Sequence, residues 1–205
     1  MAELNQKQIE NQKEYFNKTV KSWSGTIEEF KWFVINDSVL RMGISDKSKI
    51  LDVGSGTGVL YEGLRKYEVN KYTALDISEE MLKELLIKYP EAETNCKSFD
   101  EKITLPYQNY THIVIFNSIP HFEKLDVLFD NAVRHLSTSG KLIIAQVKTR
   151  QKIKAHHKKI GFDLGREPIP LDETLIKYTE KFGMKLIEIK DDEYFYFSCE
   201  KVSSK

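Results

Sequence analysis

Cysteine is almost missing from this sequence: Cys96 and Cys199 are the only two among 205 residues. They stand far apart, in neither a Cys-x-x-Cys nor a Cys/His spacing, so neither a disulfide framework nor a thiolate metal site organises the chain. They read as buried or half-exposed thiols of a reducing compartment. Net charge is missing as well. The 31 Lys and Arg residues balance 31 Asp and Glu residues, which gives no overall pull towards nucleic acid or an anionic membrane. Long apolar runs are absent, and the stretch Ile113 to Phe116 is far too short to span a bilayer. Met1 to Val20 is polar and lacks the apolar segment of a signal peptide, so the expected location is the cytoplasm. No linker rich in Pro, Gly or Ser and no internal repeat divides the chain. What is present suits one globular domain: 40% hydrophobic and 30% charged residues, in a length that supports a substantial core.

The hydrophobic pattern changes character along the chain. Residues 5–21 read as a polar helix with Tyr15, Phe16 and Val20 as its apolar positions. A stronger helix follows, with Phe30, Phe33, Val34, Ile35 and Leu40 at near-helical spacing and Gly43 at its end. These two helices form an N-terminal cap over 1–45. From Lys49 short apolar runs alternate with amphipathic helices: strands at Ile50–Val53, Tyr72–Leu75, Thr94–Lys97, His112–Phe116 and Lys141–Gln146, and helices over Val59–Lys66, Ser78–Lys88 and Lys124–Leu136. Such alternation implies a mostly parallel sheet with helices on both faces, here the core 46–147. The segment 171–205 differs. A helix over Leu171–Phe182 precedes two runs, Lys185–Lys190 and Glu193–Val202, joined too tightly to be anything but antiparallel. The expected architecture is an α/β, seven-stranded, mostly parallel sheet closed by an antiparallel C-terminal hairpin.

The informative segment is Ile50-Leu51-Asp52-Val53-Gly54-Ser55-Gly56-Thr57-Gly58-Val59-Leu60. An apolar strand ends near an acid, and glycines then recur at every second position before a helix starts. Glycines permit a tight turn and let a ligand lie against the backbone, and the helix start beyond them offers free N–H groups. A dinucleotide fingerprint G-x-G-x-x-G would need glycine at position 59, which is Val59. Asp52 would also repel a pyrophosphate, whereas it can accept hydrogen bonds from an ammonium group. These features disfavour a nicotinamide-dependent oxidoreductase. Downstream, Tyr72-Thr73-Ala74-Leu75-Asp76 is a second strand ending in a carboxylate, 24 residues after Asp52. An acid there can accept from both ribose hydroxyls. It can equally cap the next helix, a task open also to Ser78.

With these residues in view, the sequence resembles the class I S-adenosylmethionine-dependent methyltransferases. The resemblance runs from about Lys49 to Gln146 and rests on ILDVGSGTGVL, ALDISEEML, IVIFNSIPHF and LSTSGKLIIAQ in that order. It implies a Rossmann-like, doubly wound fold and S-adenosylmethionine as cofactor, with S-adenosylhomocysteine as product. Carried over by position, Asp52, Gly54, Ser55, Gly56 and Gly58 would serve the methionine end and Asp76 the ribose. Ile77 and Met81 would flank the adenine, with Asp100 against its amino group, Phe99 also among the cofactor-binding residues and Asn117 near the sulfonium.

Ligands of open α/β sheets bind beyond the carboxyl ends of the strands, which places Asn117 to Phe122 near the acceptor. This loop is neither the Asn/Asp-Pro-Pro-aromatic motif of amino-nitrogen methylation nor a Pro-Cys nucleophile. His121 is the candidate general base, or else a structural histidine of the loop. The segment 148–170 is expected as a basic lid. Lys148, Arg150, Lys152, Lys154, Lys158 and Lys159, with His156 and His157, occur there without an acid through residue 162. They could attract an anionic acceptor or RNA phosphates, or could form a solvated helix face with Ile153 and Ile160 turned inwards. His157 could join His121 in the pocket, and no metal is expected for want of a carboxylate or thiolate partner in sequence. Tyr15, Phe16, Trp23 and Trp32 read as core, or as a lid over the cofactor. The expected activity is methyl transfer to a small-molecule acceptor. An RNA methyltransferase and a non-catalytic S-adenosylmethionine-binding module are the alternatives.

Overall fold

The computed structural model describes residues 2–159, 161 and 165–202, so the inward turn expected of Ile160 lies outside the described residues. The strands are β1 (Lys49–Val53), β2 (Lys71–Asp76), β3 (Glu93–Cys96), β4 (Tyr110–Phe116), β5 (Leu136–Gln146), β6 (Met184–Asp191) and β7 (Phe195–Lys201). They form one seven-stranded sheet in the order β3-β2-β1-β4-β5-β7-β6. The first five pair in parallel, and β7 runs antiparallel to both of its neighbours. Successive strand residues face opposite sides of a sheet. The apolar runs therefore feed two cores at once: Leu51, Ile113, Ile115, Leu142 and Ile144 enter one, while Ile50, Val114, Phe116, Ile143 and Ala145 enter the other. Runs buried on both faces are what parallel strands require.

Helices cover both cores. On one face lie α2 (Glu29–Met42), α3 (Val59–Leu64) and α4 (Glu79–Lys88); on the other lie α5 (Leu125–His135), α6 (Arg150–Lys159) and α7 (Asp172–Lys181). The remaining helix, α1 (Ala2–Trp23), is longer than its apolar positions suggested and crosses the carboxyl ends of the strands. Local chemistry sets several of these boundaries. The Ser78 hydroxyl caps α4 by accepting from the Met81 N–H at 3.1 Å, with Glu79 and Glu80 in the first turn. Gly43 ends α2 in the left-handed conformation.

Two readings of the cap need correcting. In α2 the buried stripe is Val34, Ile35, Ser38, Val39 and Met42, whereas Phe30, Phe33 and Leu40 are exposed, Leu40 at 73%. A helix lying on a sheet hides one stripe only. Phe30 and Phe33 fall just outside it and stack on each other, with Phe33 edge-on to Tyr194. In α1, Tyr15 and Trp23 are likewise exposed rather than core. Elsewhere α5 passes directly into β5, whose residues 137–140 bulge opposite the single residue Thr111 of β4, with Ser139 left-handed at φ 59°. Gly140 is needed there: a Cβ would lie 2.9 Å from two carbonyl oxygens, those of Ser137 and Tyr110.

Candidate active site

A cavity of about 570 Å³ opens above the carboxyl ends of β1, β2, β3 and β4, where the strand order departs from the chain order. Its floor is the glycine loop. The backbone of Gly54, Gly56 and Gly58 is left-handed throughout, yet the three positions do different things. A Cβ on Gly54 would meet the Ser118 hydroxyl at 2.6 Å, and one on Gly58 the Tyr89 ring at 2.8 Å, so both are reserved for protein packing. A Cβ on Gly56 would meet nothing within 4 Å. All three line the cavity, and Gly56 is the one where no other residue stands over the missing Cβ.

Asp76 at the end of β2 is fixed from two sides. Its Oδ2 accepts the Gly56 N–H at 2.9 Å and its Oδ1 the Ser78 N–H at 2.9 Å. Burial raises its pKa, opposed by these backbone hydrogen bonds. The two readings of this turn hold together: Ser78 caps the helix while Asp76 lines the cavity. Asp52 is placed differently. It lies beneath the loop rather than in the cavity wall, with Oδ2 accepting the Tyr72 hydroxyl at 2.8 Å. Burial pushes its pKa up to about 7, the Tyr72 bond resists, and Asp76 adds to the rise.

Ile77, Met81, Phe99 and Asp100 form the wall beyond Asp76. The Asp100 carboxylate is already engaged, accepting the Glu123 N–H at 2.9 Å and the Lys124 N–H at 3.1 Å. It thereby supplies the start of α5 with the side-chain cap that Lys124 does not. The same loop is pinned by the buried Asn131, which donates to the carbonyls of Phe99 and Glu101 and accepts the Ile103 N–H.

At the end of β4, Asn117 (φ 56°) and Ser118 turn the chain, and Ser118 donates to the Val53 carbonyl at 3.1 Å. His121 follows on the cavity wall. Burial lowers its pKa to about 4, helped by the charges of His157 and Arg166, so its imidazole is neutral at pH 7. So low a value suits a hydrogen-bond acceptor better than a proton-abstracting base. The ring of Phe16 stands edge-on to it at 4.9 Å, and Gln12 donates to the His121 carbonyl. His157 does not line the cavity; it sits close enough to His121 for its charge to be felt.

The lid expectation for 148–170 meets a different geometry. None of its described residues lines the cavity. Acids distant in sequence neutralise part of its charge: Arg150 pairs with Asp172 at 2.7 Å and Asp191 at 3.2 Å, and Lys154 with Glu167 at 2.5 Å. Arg166 instead braces the site's loop from outside by donating to the carbonyls of Pro120 and Phe122. The true cover is the N-terminal cap, which contributes Gln12, Phe16, Trp23, Ile27, Lys31 and Trp32 to the wall. Of these, Gln12, Ile27 and Lys31 were not singled out from sequence, and only the three-dimensional placement of the cap reveals them. Among the described residues no group of His, Cys, Asp and Glu could hold a metal ion. Nor is any described helix long and apolar enough to cross a membrane.

A parallel sheet with this switch point, a bare glycine turn and an acid closing the second strand define the class of proteins that hold an adenosyl cofactor on a Rossmann-like sheet. Residues 51–144 match the family model of a methyltransferase domain. Over these residues the chain is similar to methyltransferase domains. Solved structures share its fold at low sequence identity. The magnesium protoporphyrin IX methyltransferase of Synechocystis, with S-adenosylhomocysteine bound, is 15% identical with a TM-score of 0.70, covering 95% of this chain and 99% of that one. A chain of the Haloferax volcanii complex between the Trm112 methyltransferase activator and a methyltransferase is 13% identical with a TM-score of 0.71, over 85% and 90% of the two chains. A Haemonchus contortus phosphoethanolamine N-methyltransferase 2, with phosphomonomethylethanolamine and S-adenosylhomocysteine, is 14% identical with a TM-score of 0.67, over 84% of this chain and 53% of that one. No curated protein sequence matches the chain.

The residues present suit the cofactor. Ser55 Oγ, in the loop that lines the cavity, is buried and has no hydrogen-bond partner among the described residues. Buried polar groups are normally satisfied, and a ligand carrying an ammonium group and hydroxyls fits beside it. S-adenosylmethionine brings a methyl group made electrophilic by a sulfonium.

Proposed function

We propose that this enzyme transfers the methyl group of S-adenosylmethionine to a small-molecule acceptor inside the capped cavity. The observation that carries this reading is enclosure. The floor is the glycine loop and the roof is α1 with the segment 25–32, so the acceptor enters a pocket of small-molecule size rather than an open face. In this reading the chain works as one unit, with the cap completing a site that the core begins. Asp76 takes the ribose hydroxyls, the Gly56 backbone lies under the amino-acid moiety, and Ile77 and Met81 flank the adenine. Asp52 acts from below, its unpartnered oxygen favouring an ammonium group above it. Catalysis then rests on positioning: holding a nucleophile in line with the methyl group, in a site that excludes water, is worth several kcal/mol.

RNA as the acceptor is less well supported, because the basic segment lies off the cavity and is partly ion-paired. The test is calorimetric titration with S-adenosylmethionine, S-adenosylhomocysteine and NAD. Micromolar binding of the adenosyl ligands and none of NAD is expected. In Asp76→Ala the adenosyl affinity should fall on the order of a hundredfold, two charged hydrogen bonds being lost. Absence of adenosyl binding to the wild type would overturn the reading.

A further inference from the structure

The cavity's two sides differ in chemistry. The side built on β1, β2, β3 and their helices holds the fixed charges Glu62, Asp76, Lys88, Lys97 and Asp100. The side at the end of β4 and under the cap is lined by rings: Phe16, Trp23, Trp32, Phe122 and the imidazole of His121. Three of these form one continuous wall by edge contacts, Trp23 to Phe16 at 6.1 Å and Phe16 to His121 at 4.9 Å. The cap adds only one charge of each sign there, Glu28 and Lys31.

We propose that the acceptor is an uncharged, planar aromatic molecule carrying a hydroxyl or amino group, held against this wall. The inference rests on the methyltransferase reading above and specifies its substrate class. Rings attract rings, with faces and edges of opposite partial charge, and a pair gains beyond its buried area. On this side the lining holds one cation, Lys31, against one anion, Glu28, and the lysines and arginines of 148–170 do not reach the cavity, so an anionic acceptor would be only partly compensated, which is costly for a buried charge. A cationic acceptor would suit the rings, but it would face the positive sulfonium and, as a protonated amine, would have no lone pair to offer. The neutral imidazole of His121 has no hydrogen-bond partner among the described residues, so a ring nitrogen is available to accept from a hydroxyl or amino group. Gln12 and Arg166 hold the His121 backbone loop from above and below.

Trp23 and Trp32 are the only tryptophans in the chain, and both line the cavity. Binding is therefore readable from intrinsic fluorescence, with Trp23→Phe and Trp32→Phe isolating each signal. The probes are catechol and indole against benzoate, phosphoethanolamine and cyclohexanol, titrated into the 205-residue chain saturated with S-adenosylhomocysteine, with calorimetry in parallel. Catechol and indole are expected to bind about tenfold more tightly than the other three, the gain of two aromatic contacts. Phe16→Leu should remove that preference while S-adenosylhomocysteine still binds within about twofold. Should Phe16→Leu fail to fold, the wild-type ranking decides alone. Benzoate, phosphoethanolamine or cyclohexanol binding as well as catechol overturns the proposal, as does the absence of aromatic binding to the S-adenosylhomocysteine complex. Failure of S-adenosylhomocysteine itself to bind overturns the methyltransferase reading instead, so the two failures are told apart.

Discussion

Asp52 and Asp76 stand at the ends of adjacent strands, yet burial treats them differently. Asp76 is compensated by two backbone N–H groups, whereas Asp52 has one tyrosine hydroxyl and an orphan oxygen. A carboxyl whose pKa rises from 3.8 to about 7 on folding binds more protons folded than unfolded between those values. Its contribution to stability is thus favourable at low pH and is lost as pH rises towards 7. Asp52→Asn removes the buried charge and should stabilise the ligand-free enzyme at pH 8, by at most about 4 kcal/mol for a shift of this size. The advantage should shrink below pH 7 and vanish near pH 4, as followed by thermal unfolding across pH. A variant that is less stable at pH 8 would show that the Asp52 charge is better compensated than its single hydrogen bond implies. The glycines give a second contrast. Gly56→Ala should lower Tm by about 3 °C, the strain of a left-handed alanine, and weaken cofactor binding. Gly54→Ala should cost more, with part of the loss recovered by Ser118→Gly, because there the obstacle is a hydroxyl at 2.6 Å. The sequence made the residue types of this turn legible, since its spacing is local. It could not say at which glycines packing takes the place of a Cβ, because Ser118 and Tyr89 come from other elements.

Among the elements, the loop after β3 shows how the sheet and α5 are tied into the site. Asp100 caps α5 from 25 positions before its first residue, and Asn131 on that helix returns three hydrogen bonds to the loop. Asp100→Ala should destabilise the protein by about 1–2 kcal/mol through the lost cap, visible as a lower denaturation midpoint with an unchanged m-value. If S-adenosylhomocysteine affinity stays within twofold of the wild type, Asp100 is a cap and not an adenine ligand. Strand and helix positions were legible because both faces of the sheet are buried and the apolar runs are uninterrupted. The placement of the basic segment was not legible. Charge runs carry no address, and the acids that neutralise Arg150 and Lys154 lie at 167, 172 and 191.

For the molecule as a whole, the site is shared between a core and a cap whose first helix, α1, meets the core through few polar contacts. Ser78 donates to Asn17, Lys13 pairs with Glu79, Thr57 donates to the Trp23 carbonyl and Gln12 to that of His121. A ligand touching both parts stabilises their union by mass action. Hydrogen exchange should therefore slow in α1 and in 25–32 when S-adenosylhomocysteine is added, with little change in β6 and β7. Equal protection everywhere would mean that cap and core already open only together. The same contacts fix an order of assembly. Chain synthesis delivers α1 before any strand, yet the groups it docks on stand at positions 57, 78, 79 and 121, as far as 109 residues downstream. On the ribosome α1 is thus an element without a binding surface until the loop after β4 has emerged, and it is among the last to find its native place.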